Sequence, residues 1–398
     1  MDDMIETPLS PIDHAAPRHY CAFRFYLPLK PGVTPESAYQ VLHEGLHRTF
    51  TQLPWLSGQT WYQDPNAKGY RPGAARQLVF HQSDSGETFD ELREEGFPTD
   101  ALPDSLPEWI SFPPDVGKGP DVFKAQATFI PGGCILLAGP QHLVCDGTAA
   151  ISIINLIHPT LQLGGCLGGP GLPPPVSETE ASHALPSPLT EVPMKSVIFY
   201  IPADRLTLLY KNSVDGGNSV LSGLDGMPRF KTPTTHPMSG SEGAWAAVAI
   251  MMDGRGQLDS DLLLSGYLGN MTCVNLALMP LAQLTSADTS LASIARLVRE
   301  GAAGVNPKTL MDAYTLADAL PDFNRLQSAD MPLDGTALQI SPLLSLPASD
   351  LDFGGQLFGN GGCPEALRPP MDWFNRSEEM DTLLQDPEFL EYAVYLAD

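Results

Sequence analysis

Positive charge is scarce in this sequence. Its 398 residues include 22 lysines and arginines against 47 aspartates and glutamates, a formal net charge of −25 at pH 7. A surface of this sign repels nucleic acid and anionic lipid at physiological salt, so neither is an expected partner. Long hydrophobic runs are also lacking, because the longest apolar stretch, residues 244–252, is far too short to cross a bilayer.

Cysteine is sparse as well. The six cysteines show neither a CxxC spacing nor the clustering with histidine that is typical of a zinc site. No Gly-x-Gly-x-x-Gly or P-loop spacing occurs among the glycines, so no phosphate-binding loop is predicted. The N-terminal residues are acidic and do not resemble a secretory signal. We therefore expect a cytoplasmic protein with reduced thiols, no metal ion and no permanently bound cofactor.

The chain does contain enough apolar sequence for a sizeable core. Hydrophobic residues make up 43% of it and charged residues 17%, and its length fits two to three domains. Strands and helices are mixed in two similar halves, which predicts an α/β protein with two sheets. We expect an N-terminal subdomain at 1–163, a Gly/Pro-rich crossover linker at 164–195 and a C-terminal subdomain at 196–398.

Several elements are predicted from local patterns. Thr34 followed by proline marks the start of a helix whose apolar residues recur at helical spacing. A strand is expected at 122–130, buried strands at 134–138 and 246–252, and helices at 148–157, 290–303 and 308–319. The acidic, proline-containing stretch 84–121 is predicted to be solvated and largely irregular. A final amphipathic helix is expected over 377–392.

The most informative chemistry lies between the second of these strands and the helix after it. His142 stands three residues before Asp146-Gly147. A neutral imidazole can take a proton from a hydroxyl or an amine at pH 7, provided that one ring nitrogen is free. A turn closed by Gly147, with Asp146 fixing the loop from behind, would hold the ring in that way. On spacing alone, His142 can equally be a loop histidine satisfied by backbone, with Asp146 capping the following helix.

The wider pattern resembles a known family. The segment from His142 to Gly147 is similar to the H-x-x-x-D-G motif of BAHD acyltransferases, chloramphenicol acetyltransferase and peptide-synthetase condensation domains. The late segment Asp352-Phe353-Gly354-Gly355 resembles the second BAHD signature, D-F-G-W-G. Residues 9–13, 53–58, 253–255, 266–270 and 379–392 resemble segments of the fungal trichothecene O-acetyltransferase-like group, in the same order.

This resemblance implies a fold and a set of roles. The fold would be two condensation-domain-like subdomains, each a mixed sheet with helices, around a central channel with His142 midway along it. Acyl-coenzyme A, most simply acetyl-coenzyme A, would enter as co-substrate from one side and a small-molecule acceptor from the other. Asp146 would be structural and pair with an arginine, for which Arg255 is the candidate. Asp352, Phe353 and Gly354 would shape the coenzyme face, and the protein would be a monomer.

The chain also departs from the family pattern. Glycine and glutamine follow Gly354 where the family has tryptophan and glycine, and segments 211–243 and 369–376 look shortened. Coenzyme A is an anion, and few basic residues are available to attract it. The candidates are Lys118, Lys124, Lys195, Arg229 and Lys231.

Other histidines and cysteines have competing interpretations. His14 and His19 can line the acceptor pocket or lie on the surface. His43 and His47 have a spacing that metals can use, but no third ligand accompanies them, so a polar helix face is favoured. Cys145, close to His142 in sequence, can form a Cys/His pair, although a buried thiol is the default.

The sequence thus predicts a BAHD-type enzyme that moves an acyl group, most simply acetyl, from acyl-coenzyme A to a hydroxyl of a small secondary metabolite. His142 would be the general base. A cyclase acting on a single bound intermediate through the same channel is an alternative, and a degenerate, non-catalytic binding protein is another.

Overall fold

A computed structural model describes residues 9–17, 19–64, 67–72, 78–98, 107, 120–158, 194–195, 197–213, 245–258, 266–320, 337–342, 346–368 and 375–397. The strands are β1 (Phe23–Pro28), β2 (Gly58–Asp64), β3 (Ala67–Pro72), β4 (Val79–Gln82), β5 (Phe123–Ile130), β6 (Gly133–Pro140), β7 (Met194–Lys195), β8 (Ile198–Tyr200), β9 (Trp245–Asp253), β10 (Thr272–Pro280), β11 (Ala337–Ile340), β12 (Ala366–Arg368), β13 (Asn375–Arg376) and β14 (Val394–Ala397). The helices are α1 (Pro35–Gln52), α2 (Phe89–Glu94), α3 (Gly147–Asn155), α4 (Ala203–Ser213), α5 (Leu281–Leu284), α6 (Leu291–Ala303), α7 (Pro307–Asp318), α8 (Ser377–Leu383) and α9 (Pro387–Tyr392).

The first half of the chain is built on a five-stranded sheet of order β12-β1-β6-β5-β4. The hairpin β5–β6 is antiparallel, and Gly132 in its turn has a φ of 85°, which favours glycine. Both strands are buried along almost their whole length, as the apolar runs predict. Among the described strands of this sheet, β4 alone pairs in parallel, next to β5 at the edge.

Helices α1 and α3 cover one face of this sheet. Thr34 caps α1 by accepting a hydrogen bond from the Ser37 amide, as predicted. Apolar side chains of both helices join those of β1, β5 and β6 in one large core. The chain just after α3 comes close to α1 at Gly45, where an added Cβ atom would lie 2.1 Å from the carbonyl oxygen of Ile157. The large core thus fixes where α3, and the loop before it, stand relative to the sheet.

The expectation of an irregular stretch over 84–121 is wrong for its first part. Helix α2 begins with a capping box in which Thr88 and Glu91 bond to each other's backbone amides. Its Phe89 and Leu92 are buried with Tyr26 against the sheet face opposite α1. Two apolar residues at helical spacing therefore outweigh the acidic composition around them.

The second sheet has the order β10-β9-β11 and is less enclosed. The predicted strand at 246–252 is present, but its predicted burial is wrong, because Ala249 is fully buried and the other residues of that range are half-buried. Helix α6 packs against β10, where the Asn275 amide donates to the Val298 carbonyl over 2.9 Å. Leu276 and Leu278, which alternate with the buried positions of β10, remain exposed.

The end of the chain returns to both halves. Strand β12 pairs with β1 and completes the first sheet, although its residues lie within the range 196–398 predicted as the C-terminal subdomain. The predicted helix over 377–392 is two helices, because Asp386 caps α9 and Pro387 occupies its first position. Strand β13 lies within the segment expected to have lost a strand and pairs with β7.

The subdomain boundaries at 163 and 196 remain predictions. The described residues of the linker are those of β7, and the rest of 164–195, like 214–244 and 369–374, lies outside the described residues. None of the helices described is both long and apolar enough to cross a membrane.

Candidate active site

The predicted unit of strand, polar loop and helix is present. Strand β6 ends at Pro140, and α3 begins at Gly147 with Asp146 as its N-cap residue. Between them the chain turns sharply, since the Val144 amide donates to the Gln141 carbonyl over 3.0 Å. The His142 amide donates to the carbonyl of His19 over 2.8 Å. The backbone at His142 is therefore fixed by this turn and by the segment that precedes β1.

Asp146 joins this loop to the second half of the chain. One of its carboxylate oxygens accepts from the Ala149 amide over 3.1 Å and so caps α3. The other accepts from the Met271 amide over 2.7 Å and from a guanidinium nitrogen of Arg255 over 3.0 Å. The side chain is buried, with 2% exposed, and both oxygens are used in these contacts. Asp146 therefore acts on the loop and not as a direct partner of the His142 ring.

Arg255 is the arginine that the resemblance implies for Asp146. Besides that ion pair it bonds Asp253 over 2.9 Å, and it donates to the backbone carbonyls of Tyr267 and Gly269. Burial acts to lower the pKa of Arg255, but Asp146 and Asp253 outweigh it and raise the pKa. One side chain thus holds the turn after β9 and the loop before β10 against α3.

The imidazole of His142 has a specific polar partner. Its Nδ1 atom lies 3.2 Å from Oδ1 of Asn270, and the Asn270 Nδ2 group donates to the Asp13 carboxylate over 2.8 Å. An ionised carboxylate accepts only, so the amide must turn its NH₂ group toward Asp13 and its oxygen toward His142. The neutral ring then carries its proton on Nδ1, which leaves Nε2 as the basic nitrogen.

The protonation state of His142 fits a base. Burial lowers its pKa, while hydrogen bonds to its own backbone and to Asn270 and the charge of Asp146 act in the opposite direction. The ring is therefore neutral at pH 7. Part of the residue is still exposed to solvent.

Sequence reasoning assigned no role to Asp13 or Asn270, although both lie in segments that resemble the family. Asp13 is fully buried and accepts four hydrogen bonds, two from Ser10 and two from Asn270. Burial raises its pKa to about 6, and the hydrogen bonds act to lower it. The spacing of Ser10 and Asp13 is a readable capping pattern, but their contact with Asn270 spans most of the chain.

Of the histidines with competing interpretations, His19 contacts the ring of His142, and His14 lies in the segment that carries Asp13. The rings of His19 and His142 meet edge to face with centroids 5.5 Å apart. Burial, and then the neighbouring His142, lowers the pKa of His19 to about 4, so His19 is neutral at pH 7. His14 lies half-buried in the 3-10 turn Pro11–Ala15, which also carries Asp13.

The thiol of Cys145 is fully buried. Burial raises its pKa well above the usual value, so it is protonated at neutral pH. This environment is that of an inert core cysteine and does not suit a nucleophile.

The second signature lies at the opposite end of α3. Asp352 contacts the His158 ring, just beyond that helix, over 3.0 Å and accepts from the Gly354 amide over 2.8 Å. Phe353 is buried against Phe25 of β1, with ring centroids 5.4 Å apart. Gly354 has a φ of 111°, a conformation reserved for glycine. The structure therefore brings together His142, Asp146, Gly147 and Arg255, and places Asp352, Phe353 and Gly354 elsewhere.

The remaining candidates add little to the site. Lys124 lies over the ring of Tyr20, 5.7 Å from its centroid. Lys118, Arg229, Lys231 and the side chain of Lys195 lie outside the described residues. His43 contacts the ring of Tyr39, and His47 is exposed on α1. Within the described part of the chain, no group of three His, Cys, Asp or Glu side chains could hold a metal ion.

The fold defines a class of protein. The structure superimposes on F. graminearum TRI101, crystallised with coenzyme A and T-2 mycotoxin, with a TM-score of 0.78 and 17% identity. That match covers 98% of this chain and 100% of the other. The predicted fold class, α/β with two subdomains of this type, is confirmed.

The sequence comparisons show what the N-terminal part is similar to. Residues 20–160 match the Trichothecene 3-O-acetyltransferase-like N-terminal domain. Acyltransferase clz6 of Cochliobolus lunatus is 30% identical over 149 residues, 35% of this chain and 30% of that protein. The predicted resemblance to the fungal trichothecene O-acetyltransferase-like group is confirmed for this part of the chain.

A longer match reaches almost the whole chain. The isocyanide synthase-NRPS hybrid crmA of Aspergillus fumigatus is 25% identical over an alignment of 495 residues, which covers 97% of this chain and 31% of crmA. The chain therefore spans about a third of the length of the curated relatives it matches.

Proposed function

We propose that this protein transfers an acyl group from acyl-coenzyme A to a hydroxyl of a small secondary metabolite, with His142 as the general base. The acceptor hydroxyl gives its proton to Nε2 of His142, and its oxygen attacks the thioester carbonyl. The carbon–sulfur bond breaks, and the departing thiolate takes the proton back from the imidazolium. Acetyl is the simplest acyl group, and no metal or permanently bound cofactor takes part.

The observation that carries this proposal is the contact between His142 Nδ1 and Asn270. Because Asn270 holds the ring proton on Nδ1, Nε2 is the nitrogen left to accept a proton. The lowered pKa keeps the ring neutral at pH 7, as a base requires. Asp146 and Arg255 keep the loop in place by clamping α3 to the second half of the chain.

The donor is proposed from the fold. The TRI101 structure of this fold contains coenzyme A, and clz6, which matches the N-terminal part, is an acyltransferase. We place a channel between subdomains 1–163 and 196–398, with His142 midway and the donor and acceptor entering from opposite mouths. The Asp352–Gly354 segment would shape the coenzyme face. The enzyme would act as a monomer in the cytoplasm.

Replacement of the base is the direct test. We expect His142→Ala to lower kcat by at least about 10³-fold, near the upper range for loss of a general base, with an unchanged fold. Product formation from acetyl-coenzyme A and a panel of hydroxylated metabolites would be followed by mass spectrometry. His47→Ala is the matched control, because His47 is exposed on α1, and it should retain full activity. Undiminished turnover by His142→Ala would contradict the proposal.

A second candidate is a cyclase that deprotonates a single bound intermediate with the same histidine. It is favoured by the acidity of the chain, because a net charge of −25 opposes the binding of an anionic coenzyme A. Calorimetry with acetyl-coenzyme A separates the two, because an acyltransferase binds it tightly and saturably and a cyclase does not. A non-catalytic binding protein would bind its ligand equally well after His142→Ala.

A further inference from the structure

We propose that Asp13 is a positioning residue of the active site, acting through Asn270 to set which nitrogen of His142 is the base. This inference rests on the proposed function for its catalytic meaning. Its structural content, the tautomer of one histidine, can be measured without any activity.

The contacts form a continuous chain from a buried carboxylate to the ring. Asp13 Oδ1 accepts from both the backbone amide and the side-chain amide of Asn270, over 3.3 and 2.8 Å. Asp13 Oδ2 accepts from the amide and the hydroxyl of Ser10, over 2.7 and 2.8 Å. Four donors saturate the carboxylate, so its position is fixed.

The hydrogen bonds from Asp13 through Asn270 to His142 favour one orientation of the Asn270 amide. Asn270 can place either its oxygen or its NH₂ group toward His142, and the two choices demand opposite tautomers. A carboxylate at position 13 selects the first choice, because only the NH₂ group can donate to it. Without that carboxylate, both orientations of the amide become available, and the bond of the ring to its own backbone is then the described contact that still opposes a proton on Nε2, where it would block catalysis.

The geometry also explains why the carboxylate is buried at this place. The 3-10 turn that carries Asp13 packs against α7, far in sequence from the loop before β10 that carries Asn270. A fully buried carboxylate is costly unless it is hydrogen-bonded. A neutral amide at position 13 could accept from Ser10 with its oxygen, but its NH₂ group would then face the two donors of Asn270 and would no longer hold the Asn270 oxygen toward His142.

The groups facing Asp13 leave it as the pH-sensitive member of the chain. Tyr267, Tyr314 and Cys145 all interact with it, and burial raises the pKa of each, so none ionises near neutral pH. Arg255, whose guanidinium lies over the Tyr267 ring, keeps its charge because its carboxylate partners raise its pKa. With its pKa near 6, Asp13 is ionised at pH 7 and becomes protonated on the acid side.

The first test reads the tautomer directly. Protein labelled with ¹⁵N-histidine should show at pH 7.5 one ring with Nδ1 protonated and Nε2 bare, and that signal should be absent from His142→Ala. In Asp13→Asn we expect this signal to shift toward the average of two tautomers while the thermal unfolding midpoint shows a folded protein. Ser10→Ala, which removes a single hydrogen bond to Asp13, is the milder variant if Asp13→Asn does not fold. An unchanged His142 signal in a folded variant of Asp13 overturns the proposal.

The second test exchanges the two side chains. Asp13→Asn should lower kcat by about 10- to 100-fold with little change in KM, the range for loss of an outer-shell partner. The double variant Asp13→Asn/Asn270→Asp restores one amide and one carboxylate in reverse order, so the ring again donates from Nδ1. We expect kcat to recover at least tenfold over Asp13→Asn, and the acid limb of the kcat profile to move up, because a carboxylate now touches the imidazole.

A purely structural role predicts otherwise. If Asp13 only stabilises the turn, the double variant should be no more active than the single one, and the acid limb should not move. Absence of transfer with every donor would reject the proposed function, and the tautomer signal would still decide the role of Asp13.

Discussion

Asp146 and Asp352 stand at the two ends of α3 and are held differently. Asp146 is buried, and its partners are the Arg255 guanidinium and backbone amides from two separate segments. Asp352 is 39% exposed and pairs with His158, while its neighbour Phe353 carries the packing. Charge and hydrogen bonds therefore hold the end near His142, and apolar contact holds the other.

The difference suggests what each end does. A buried ion pair adds little net stability compared with apolar packing, but it fixes the orientation of the groups that it joins. Loss of one partner leaves a buried charge without its counter-ion and destabilises the protein. The fixed orientation suits a loop that must aim an imidazole. An aromatic side chain stabilises without directional bonds, which suits a loop that anchors a strand such as β12. The variants below test this contrast.

The largest loss of stability should come from Phe353→Ala. Truncating a fully buried phenylalanine costs about 3–5 kcal/mol through lost transfer energy and the cavity that remains. The free energy of unfolding would be measured in urea. Leu316→Ala, at a site 66% exposed on α7, is the control and should stay within about 0.5 kcal/mol. A Phe353 variant as stable as that control would show that the Asp352 end does not depend on packing.

Asp146→Ala should cost about 3 kcal/mol and also abolish most activity. It leaves Arg255 with Asp253 as its remaining carboxylate partner and removes the cap of α3. The same urea series measures the stability, and kcat is measured under conditions where the protein is folded. If folded Asp146→Ala is fully active, the ion pair does not aim His142.

A smaller effect is expected in the dependence of stability on pH. The folded pKa of His19 lies below its unfolded value, so its contribution is present above about pH 6.5 and is lost as pH falls toward 4. The folded pKa of Asp13 lies above its unfolded value, so its contribution is present below about pH 3.8 and is lost as pH rises through 6. Between pH 4 and 6 the two oppose each other.

Single variants should separate these contributions. In His19→Gln the unfolding free energy should fall with rising pH between 4 and 6 more than in the unaltered protein. In Asp13→Asn it should rise over the same range. Urea unfolding at half-unit steps of pH would give the slope of the unfolding free energy for each variant. If both variants change that slope in the same direction relative to the unaltered protein, the contributions of His19 and Asp13 do not oppose each other.

The smallest effect should come from Asp352→Asn. The amide can still accept from Gly354 and contact His158, and half-exposed pairs contribute less than about 1 kcal/mol. The free energies of unfolding of Asp352→Asn and Asp146→Asn, measured under the same conditions, compare the two ends of α3 directly. A loss of stability in Asp352→Asn larger than that in Asp146→Asn would show that polar contacts matter more at the Asp352 end.

Local patterns predicted the elements that carry His142. The Thr34 cap, the apolar hairpin and the 148–157 helix each depend on residues that are close together in sequence, and each is present. The break in the final helix was equally readable, since Asp386 and Pro387 form a start signal inside the apolar pattern. Composition misled at α2, where a short capped helix lies within an acidic stretch.

Long-range contacts were beyond such patterns. The bond between Asp13 and Asn270 joins residues far apart in sequence, and neither residue's local spacing indicates the other. The pairing of β1 with β12 is of the same kind, because a short strand fits many partners. The resemblance to a family marked these segments, but it did not say which atoms meet.

The place of β12 has a consequence for synthesis. The strand that completes the first sheet is translated near the other end of the chain, after every strand it joins. Until this last part of the chain is synthesised, β1 exposes an unpaired backbone edge next to an apolar core that still lacks Phe353 and Phe358, a state that favours pairing with other nascent chains. Production of this protein should therefore depend on chaperones and on slow, cool expression more than the stability of its first half would suggest.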